Sequence, residues 1–219
     1  MSPRCDLVLP CRDEAAALPT VIAAVPDGFD VIVVDNGSRD GTADVARALG
    51  ARVVHEELAG YGAAVHTGIE AATAEFVAVM DGDGSMNPAD LVPLLDDVEH
   101  GRATMAVGRR RPVSSAAHPW HARWGNALVL AWLRRRTGLA VRDIAPMRVC
   151  RTADLLALGL EDRRFGYPVE LLVKAQSAGW VLTEHDISYR PRAAGTSSKV
   201  SGTVRGTLRT ARDFARMLP

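Results

Sequence analysis

Val77-Ala78-Val79-Met80-Asp81-Gly82-Asp83-Gly84-Ser85 is the stretch on which the reading of this chain turns. An apolar run ends abruptly in two acids separated by one glycine. That is the pattern of a buried strand delivering Asp81 and Asp83 to its carboxyl edge, where a divalent cation and a phosphorylated ligand can meet. Gly82 and Gly84 remove side-chain bulk, so backbone and ligand can approach closely. Asp-Gly-Ser is also ordinary turn chemistry, and alone the stretch reads equally well as a strand-to-helix link. An EF-hand calcium loop also begins with acids at alternate positions, but Met86 stands where that loop needs glycine and Val92 where it needs glutamate.

The preceding sequence supplies the context. Residues 6–10 read as a strand running into Cys11-Arg12-Asp13-Glu14, after which residues 15–25 have the composition of a helix. Residues 31–34 form a second apolar strand ending in Asp35-Asn36-Gly37-Ser38-Arg39-Asp40-Gly41-Thr42, followed by a helical stretch over 43–49. A short strand at 52–55, a glycine-led helix over 60–72 and a strand at 75–80 complete the series. Strands alternating with helices, each strand too continuously apolar to have a wet face, predict an α/β fold. Its sheet is central, Rossmann-like and mostly parallel, with helices on both sides. Ligands of such sheets bind beyond the carboxyl ends of the strands, and Glu14, Asp35, Asp81 and Asp83 all fall there.

Composition bounds the rest. At 219 residues and 47% hydrophobic, the chain can bury one good core, and no repeat or low-complexity linker divides it, so a single domain is expected. Arg109-Arg110-Arg111-Pro112 marks a soft boundary between a nucleotide-binding half, 1–111, and an acceptor-binding half, 112–219. Lys plus Arg and Asp plus Glu both number 26, which argues against a nucleic-acid binder. Cys5, Cys11 and Cys150 form neither a zinc pattern nor an even disulfide framework, and the N-terminus shows no signal peptide, so the expected compartment is a reducing cytoplasm. No apolar run approaches the ~20 residues that span a bilayer.

The motifs together resemble family 2 glycosyltransferases. The resemblance lies in Leu9-Pro10-Cys11-Arg12-Asp13-Glu14, in Val33-Val34-Asp35 with the loop through Thr42, in Gly60-Tyr61-Gly62-Ala63-Ala64 and in Met80-Asp81-Gly82-Asp83-Gly84-Ser85. It continues in Tyr167-Pro168-Val169-Glu170 and in residues 189–199, covering nearly the whole chain in order. Within the family the chain looks nearest to the polyprenyl-phosphate sugar synthase branch. The resemblance implies a GT-A fold and a nucleoside-diphosphate sugar donor. Pro10, Arg12, Glu14, Asp35 and Gly62 would line the donor site, with Asp35 accepting from a base N–H. Asp81 would sit by the ribose and diphosphate, and Asp83, with Asp81, would hold a divalent cation, Mg or Mn. Two departures stand out. Arg12-Asp13 replaces the family's usual aromatic or small polar residue followed by Asn, and Ser85 replaces a Gln common in the lipid-phosphate branch.

The chemistry of transfer points the same way. A nucleoside diphosphate leaves poorly with its charges uncompensated, and a hard cation held by carboxylates is the natural remedy. Arg192 and Lys199 can add positive charge to the same phosphates from a lid rich in small polar residues, Gly195-Thr196-Ser197-Ser198. The same composition also suits a solvated basic loop. A hydroxyl acceptor would need a carboxylate base, for which Glu170 is the first candidate and Asp143 the second, whereas a phosphate acceptor is already anionic. Glu170 reads equally as a helix-start carboxylate satisfying backbone N–H groups.

The acceptor is either a soluble metabolite or a polyprenyl phosphate, with Ser85 and the missing membrane span tilting toward the former. Trp120, Trp124, Leu128 and Trp132 share a helix face ending in Arg134-Arg135-Arg136, a pattern that is more often core than a membrane surface. Val204, Leu208, Ala211 and Ala215 oppose Arg205, Arg209, Arg212 and Arg216 on another helix, so peripheral contact with the inner membrane face stays an open reading. A sugar-nucleotide nucleotidyltransferase would need an early glycine-rich loop with Arg and Lys that is absent here. A dehydrogenase would need its glycine pattern after the first strand rather than the third. A nonenzymatic nucleotide-sugar binder would keep Asp35 and Asp83 but leaves Glu170, Arg192 and Lys199 without a purpose.

Overall fold

The computed structural model describes residues 4–113, 134, 135, 138, 141–144 and 146–192. In these, strands β1 (Cys5–Cys11), β2 (Phe29–Asp35), β3 (Arg52–His55), β4 (Phe76–Val79), β5 (Met105–Pro112), β6 (Met147–Arg151) and β7 (Leu182–Tyr189) form one sheet of order β3-β2-β1-β4-β6-β5-β7. β1 pairs in parallel with β2 and β4, β2 with β3, and β5 with β7. Only β6 runs antiparallel, between β4 and β5. The sheet is therefore mostly parallel, as the continuous apolar strands predict.

Alternation within each strand feeds two cores. Val8, Ile32, Val34, Val77 and Val79 pack on one face against helices α3 (Tyr61–Ala71), α5 (Thr152–Ala157) and α6 (Tyr167–Ser177). Leu7, Leu9, Val33 and Ala78 pack on the other against α1 (Leu18–Ala23), α2 (Thr42–Ala48) and α4 (Leu91–Glu99). A strand whose neighbouring residues are both buried has no wet face, which is why these strands read as unbroken apolar runs. Gly68 lets α3 lie on the sheet, because a Cβ there would stand 2.3 Å from Val8 Cγ1.

The elements differ from the sequence-based bounds where a local group decides them. The first helix starts at Leu18, not at residue 15: Pro19 occupies its first turn, and Ala17 and Leu18 donate to the Glu14 carbonyl in a preceding turn. Arg109-Arg110-Arg111-Pro112 is the end of β5, in register with β7 through Pro112 and Tyr189. The soft boundary at 111 thus does not divide the sheet, since β6 and β7 of the second half are built into it. Asp6, buried in β1, accepts from Thr73 N at 2.6 Å and Ala74 N at 2.9 Å and so fixes the turn before β4.

The far edge carries a buried carboxylate with a measurable signature. Asp97 of α4 accepts from His185 Nε2 at 2.7 Å, Thr183 Oγ1 at 2.8 Å and Arg102 Nε at 2.8 Å. Burial alone would raise its pKa, but the hydrogen bonds from His185, Arg102 and Thr183 hold it at about 2. A folded pKa below the unfolded one stabilises the fold above the unfolded value and loses that contribution as pH falls through about 4 toward about 2. Because His185 and Arg102 are partly solvated, the contribution is about 1 kcal/mol. Asp97→Asn is expected to lower urea stability by that amount near neutral pH, and the difference is expected to vanish in acid. An undiminished difference in acid would refute the assignment.

Candidate active site

The carboxyl ends of β1, β2 and β4 meet at one edge of the sheet, and the loops leaving them carry the acids. The loops after β1 and β2 are clipped together. Asp13 N donates to Ser38 Oγ at 3.0 Å, Glu14 N to Thr42 Oγ1 at 2.9 Å, Ala15 N to Asp40 Oδ2 at 3.0 Å and Arg39 N to Asp13 Oδ1 at 2.8 Å. Asp13 turns the chain with a φ of 56°, a conformation that short polar side chains tolerate best after glycine. Pro10 is half-buried, Arg12 exposed and Glu14 buried along this floor.

Asp35 lies buried at the end of β2, its Oδ1 accepting from Ser38 N at 3.0 Å and its Oδ2 3.3 Å from His55 Nδ1. Asn36 then fixes the next loop. Its Nδ2 donates to the Glu56 and Leu58 carbonyls, and its Oδ1 accepts from Gly60 N.

Asp81 and Asp83 follow β4 as the sequence requires. Asp83 is 3% exposed, with Oδ1 accepting from Ser85 N at 2.9 Å and Oδ2 paired with Arg192 Nε at 2.9 Å. Asp81 is pushed up to about 6 by burial and then by the charge of Asp83, against the pull of Arg192, Arg110 and Arg148. Two carboxylates and three guanidiniums thus share one edge of the sheet.

Two of those arginines were not singled out as site residues in the sequence. Arg110 forks onto Asp143 through Nε at 2.8 Å and Nη2 at 2.6 Å, its own N–H donates to Asp143 at 2.9 Å, and its guanidinium lies 5.4 Å from the Tyr189 ring centre. Arg148 is 1% exposed in β6, beside Val79, with its guanidinium 5.8 Å from the Tyr167 ring centre and a hydrogen bond to Tyr61. A charged residue inside Met147-Arg148-Val149-Cys150 was the available signal, because an arginine in an apolar strand must have something to face.

Several expected site residues stand elsewhere. The α3 amino terminus is already filled: Gly62 N donates to the Arg164 carbonyl at 3.0 Å and Ala63 N to the Arg163 carbonyl at 2.8 Å. A Cβ on Gly62 would lie 2.8 Å from Tyr167 Cβ, so this glycine makes room for the 163–167 segment packed on it. Gly82 likewise gives way to Cys11 Sγ, 2.5 Å from where its Cβ would be. Glu170 accepts from Glu161 N at 2.9 Å, Asp162 N at 2.8 Å and Lys174 Nζ at 2.8 Å. Burial raises its pKa, but Lys174 and those N–H groups outweigh it and hold the carboxyl below its ordinary value. The backbone groups it satisfies belong to the preceding loop rather than to its own helix.

Asp143 is the anchor of Arg110, and also accepts from Ile144 N at 2.8 Å. Burial raises its pKa too, and Arg110 more than reverses the effect. Both expected bases are thus carboxylates engaged by several donors. Lys199 and the stretches at 118–133 and 204–216 lie outside the described residues.

Among the described residues, no group of three or more His, Cys, Asp and Glu side chains is placed to hold a metal ion. Asp81 and Asp83 would suit a magnesium or manganese ion, hard cations that take oxygen ligands, and its charge would offset that of a bound diphosphate. That Asp83 already carries a cationic partner on Oδ2 shows the site's demand for positive charge.

The sequence model of glycosyl transferase family 2 matches residues 6–153, spanning the first six strands of the sheet. The chain belongs to glycosyltransferase family 2. An uncharacterized glycosyltransferase of Mycobacterium tuberculosis is 52% identical over 213 residues, 97% of this chain and 96% of the relative. The undecaprenyl-phosphate mannosyltransferase of Micrococcus luteus is 30% identical over 222 residues, 91% of this chain and 88% of the relative. Among solved structures, glucosyl-3-phosphoglycerate synthase from Mycobacterium tuberculosis, in complex with Mn2+, UDP and glucosyl-3-phosphoglycerate, superposes with a TM-score of 0.78 at 20% identity. The match covers 98% of this chain and 80% of that one. The family 2 glycosyltransferase described here therefore has the GT-A fold, with Asp81-Gly82-Asp83 in the loop after β4. No helix among its described residues is long and apolar enough to cross a membrane.

Proposed function

We propose that this glycosyltransferase moves a hexose, with inversion, from a nucleoside-diphosphate sugar to an acceptor that presents a phosphate. The observation that carries the reading is the juxtaposition of Asp81 and Asp83 with Arg110, Arg148 and Arg192 at the carboxyl edge of the sheet. Asp35 accepts from a base N–H at the end of β2, with Pro10, Arg12 and Glu14 beside it. Asp83 and Asp81 hold a divalent cation, Mg or Mn, whose chemistry is to offset the charge of the departing diphosphate. Arg192, with Lys199, adds charge to the same phosphates.

The acceptor oxygen attacks the anomeric carbon opposite the diphosphate, and the bond to the diphosphate oxygen breaks. A phosphate oxygen is anionic near neutral pH and needs no base, which agrees with the engagement of Glu170 and Asp143. The relatives include enzymes named for polyprenyl phosphates, and the structural neighbour binds a phosphorylated three-carbon acid. A polyprenyl phosphate and a soluble phosphorylated metabolite share this chemistry. All three cysteines are free and buried, in keeping with a reducing cytoplasm.

Calorimetric titration of UDP, GDP and dTDP with manganese, with and without EDTA, tests the donor site. One nucleotide is expected to bind, and only with the metal. That nucleotide's sugars, offered with a short polyprenyl phosphate or with soluble phosphorylated acids, then identify the acceptor. Absence of binding by all three would overturn the reading.

A further inference from the structure

Asp83 is a buried carboxylate whose two oxygens have different partners. Oδ1 accepts from Ser85 N within its own loop, and Oδ2 is held by Arg192 at 2.9 Å. The Asp83 side chain is 4% exposed and that of Arg192 28%, so the guanidinium is the outward, solvent-touching member of the pair. A buried carboxylate must keep a positive partner, and anything that takes Oδ2 must first displace this one.

The arginine cannot go far when displaced. Tyr189, three residues before it, forms an antiparallel bridge to Met86, and Arg190 N donates to the Ser85 carbonyl at 2.8 Å. The end of β7 and Arg190, just before Arg192, are thus hydrogen-bonded to the loop carrying Asp83. The guanidinium can swing by the length of its side chain while its backbone stays at the acidic loop. A diphosphate bound beside Asp83 lies within that swing.

Resting on the donor-site reading above, we propose that Arg192 is an exchangeable countercation. It occupies the Asp83 oxygen that a divalent cation needs, and when displaced it passes to the diphosphate. Metal and nucleotide then bind cooperatively. Metal alone must compete with a resident cation, whereas metal together with a diphosphate gives the displaced guanidinium a new anion. By linkage, the factor by which nucleotide tightens metal binding equals the factor by which metal tightens nucleotide binding. Arg110 and Arg148 do not share this role, because Arg110 is forked onto Asp143 and Arg148 is enclosed beside Tyr167.

The test is manganese binding, read by the loss of the free-ion electron paramagnetic resonance signal, on the wild type, Arg192→Gln and Arg190→Gln, with and without UDP, GDP or dTDP. Arg190 is an exposed arginine two positions away and controls for the loss of a positive charge. The expected result is that Arg192→Gln binds manganese alone about tenfold more tightly than the wild type. The nucleotide's enhancement of manganese binding should fall about tenfold in the same variant, while Arg190→Gln changes either by less than about twofold. Unchanged or weaker manganese binding by Arg192→Gln overturns the exchange, and so does an equal gain in Arg190→Gln. If the wild type takes up no manganese even with nucleotide, the donor-site reading itself fails, and the exchange with it.

Discussion

Asp83→Ala is expected to abolish metal-dependent nucleotide binding and to lower kcat/KM by about a thousandfold, or about 4 kcal/mol of transition-state stabilisation. The leaving diphosphate needs positive charge held in a fixed place, and Asp83, 3% exposed, is the less exposed of the two carboxylates that can hold it. Its neighbour Asp81 gives up its proton less readily, because burial and the charge of Asp83 raise its pKa. The fold should survive the change. Arg192 is partly exposed and can turn to water, the Ser85 N–H loses one acceptor, and relief of the repulsion with Asp81 works the other way. The net change in urea stability is expected to stay within about 1 kcal/mol. Calorimetry with manganese and a urea titration on the same preparation separate the outcomes. Retained metal-dependent binding in a folded Asp83→Ala would remove this carboxylate from the donor site, whereas loss of binding together with loss of fold would make its role structural.

The order of strands up to β4, and the edge at which Asp35, Asp81 and Asp83 gather, are legible because each depends on a local pattern. Those patterns are an apolar run, a following acid and a helix-forming stretch that returns the chain. The arginine side of the site is not local. Arg110 and Arg148 come from β5 and β6, and β6 enters antiparallel between β4 and β5, so Arg148 reaches Val79 across some seventy positions of sequence. No periodicity within residues 105–112 or 147–151 announces that pairing. The arginine row at 109–111 therefore read as a boundary, when it is the paired end of a strand.

The glycines were legible as places of close approach but not as to what approaches. A ligand phosphate and a neighbouring backbone make the same demand on a glycine, namely the absence of Cβ. Only the fold shows that Arg163, Arg164 and Tyr167 crowd Gly62 and that Cys11 crowds Gly82. Likewise the acid at the start of α6 was readable as a backbone acceptor, yet its donors, Glu161 and Asp162, lie in the loop before the helix. Local sequence does not fix how such a loop folds back.

Gly62→Ala turns that distinction into a measurement. Helix propensity favours alanine by about 1 kcal/mol at an unconstrained helical position. Here the new Cβ would stand 2.8 Å from the Arg163 carbonyl carbon, 2.8 Å from Tyr167 Cβ and 2.9 Å from Arg164 N. None of these is the free end of a flexible side chain. Relief must come from moving the 163–164 backbone, which breaks the bonds to Gly62 N and Ala63 N and loosens the start of α6. Overpacking of that kind reaches about 4 kcal/mol, above the usual 1–3, so the net loss is expected to be about 3 kcal/mol in urea. Nucleotide affinity of the folded fraction, measured with manganese, is expected to stay within about twofold, because Gly62 N donates to the Arg164 carbonyl and the Asp35 loop is tied to this helix start through Gly60 instead. A variant of unchanged stability whose nucleotide affinity falls tenfold would reverse the assignment and return Gly62 to the donor site. The stability loss with affinity intact would place the Gly60-Tyr61-Gly62 turn under the 163–164 loop, as a packing joint that holds α3 and α6 behind the arginine side of the site.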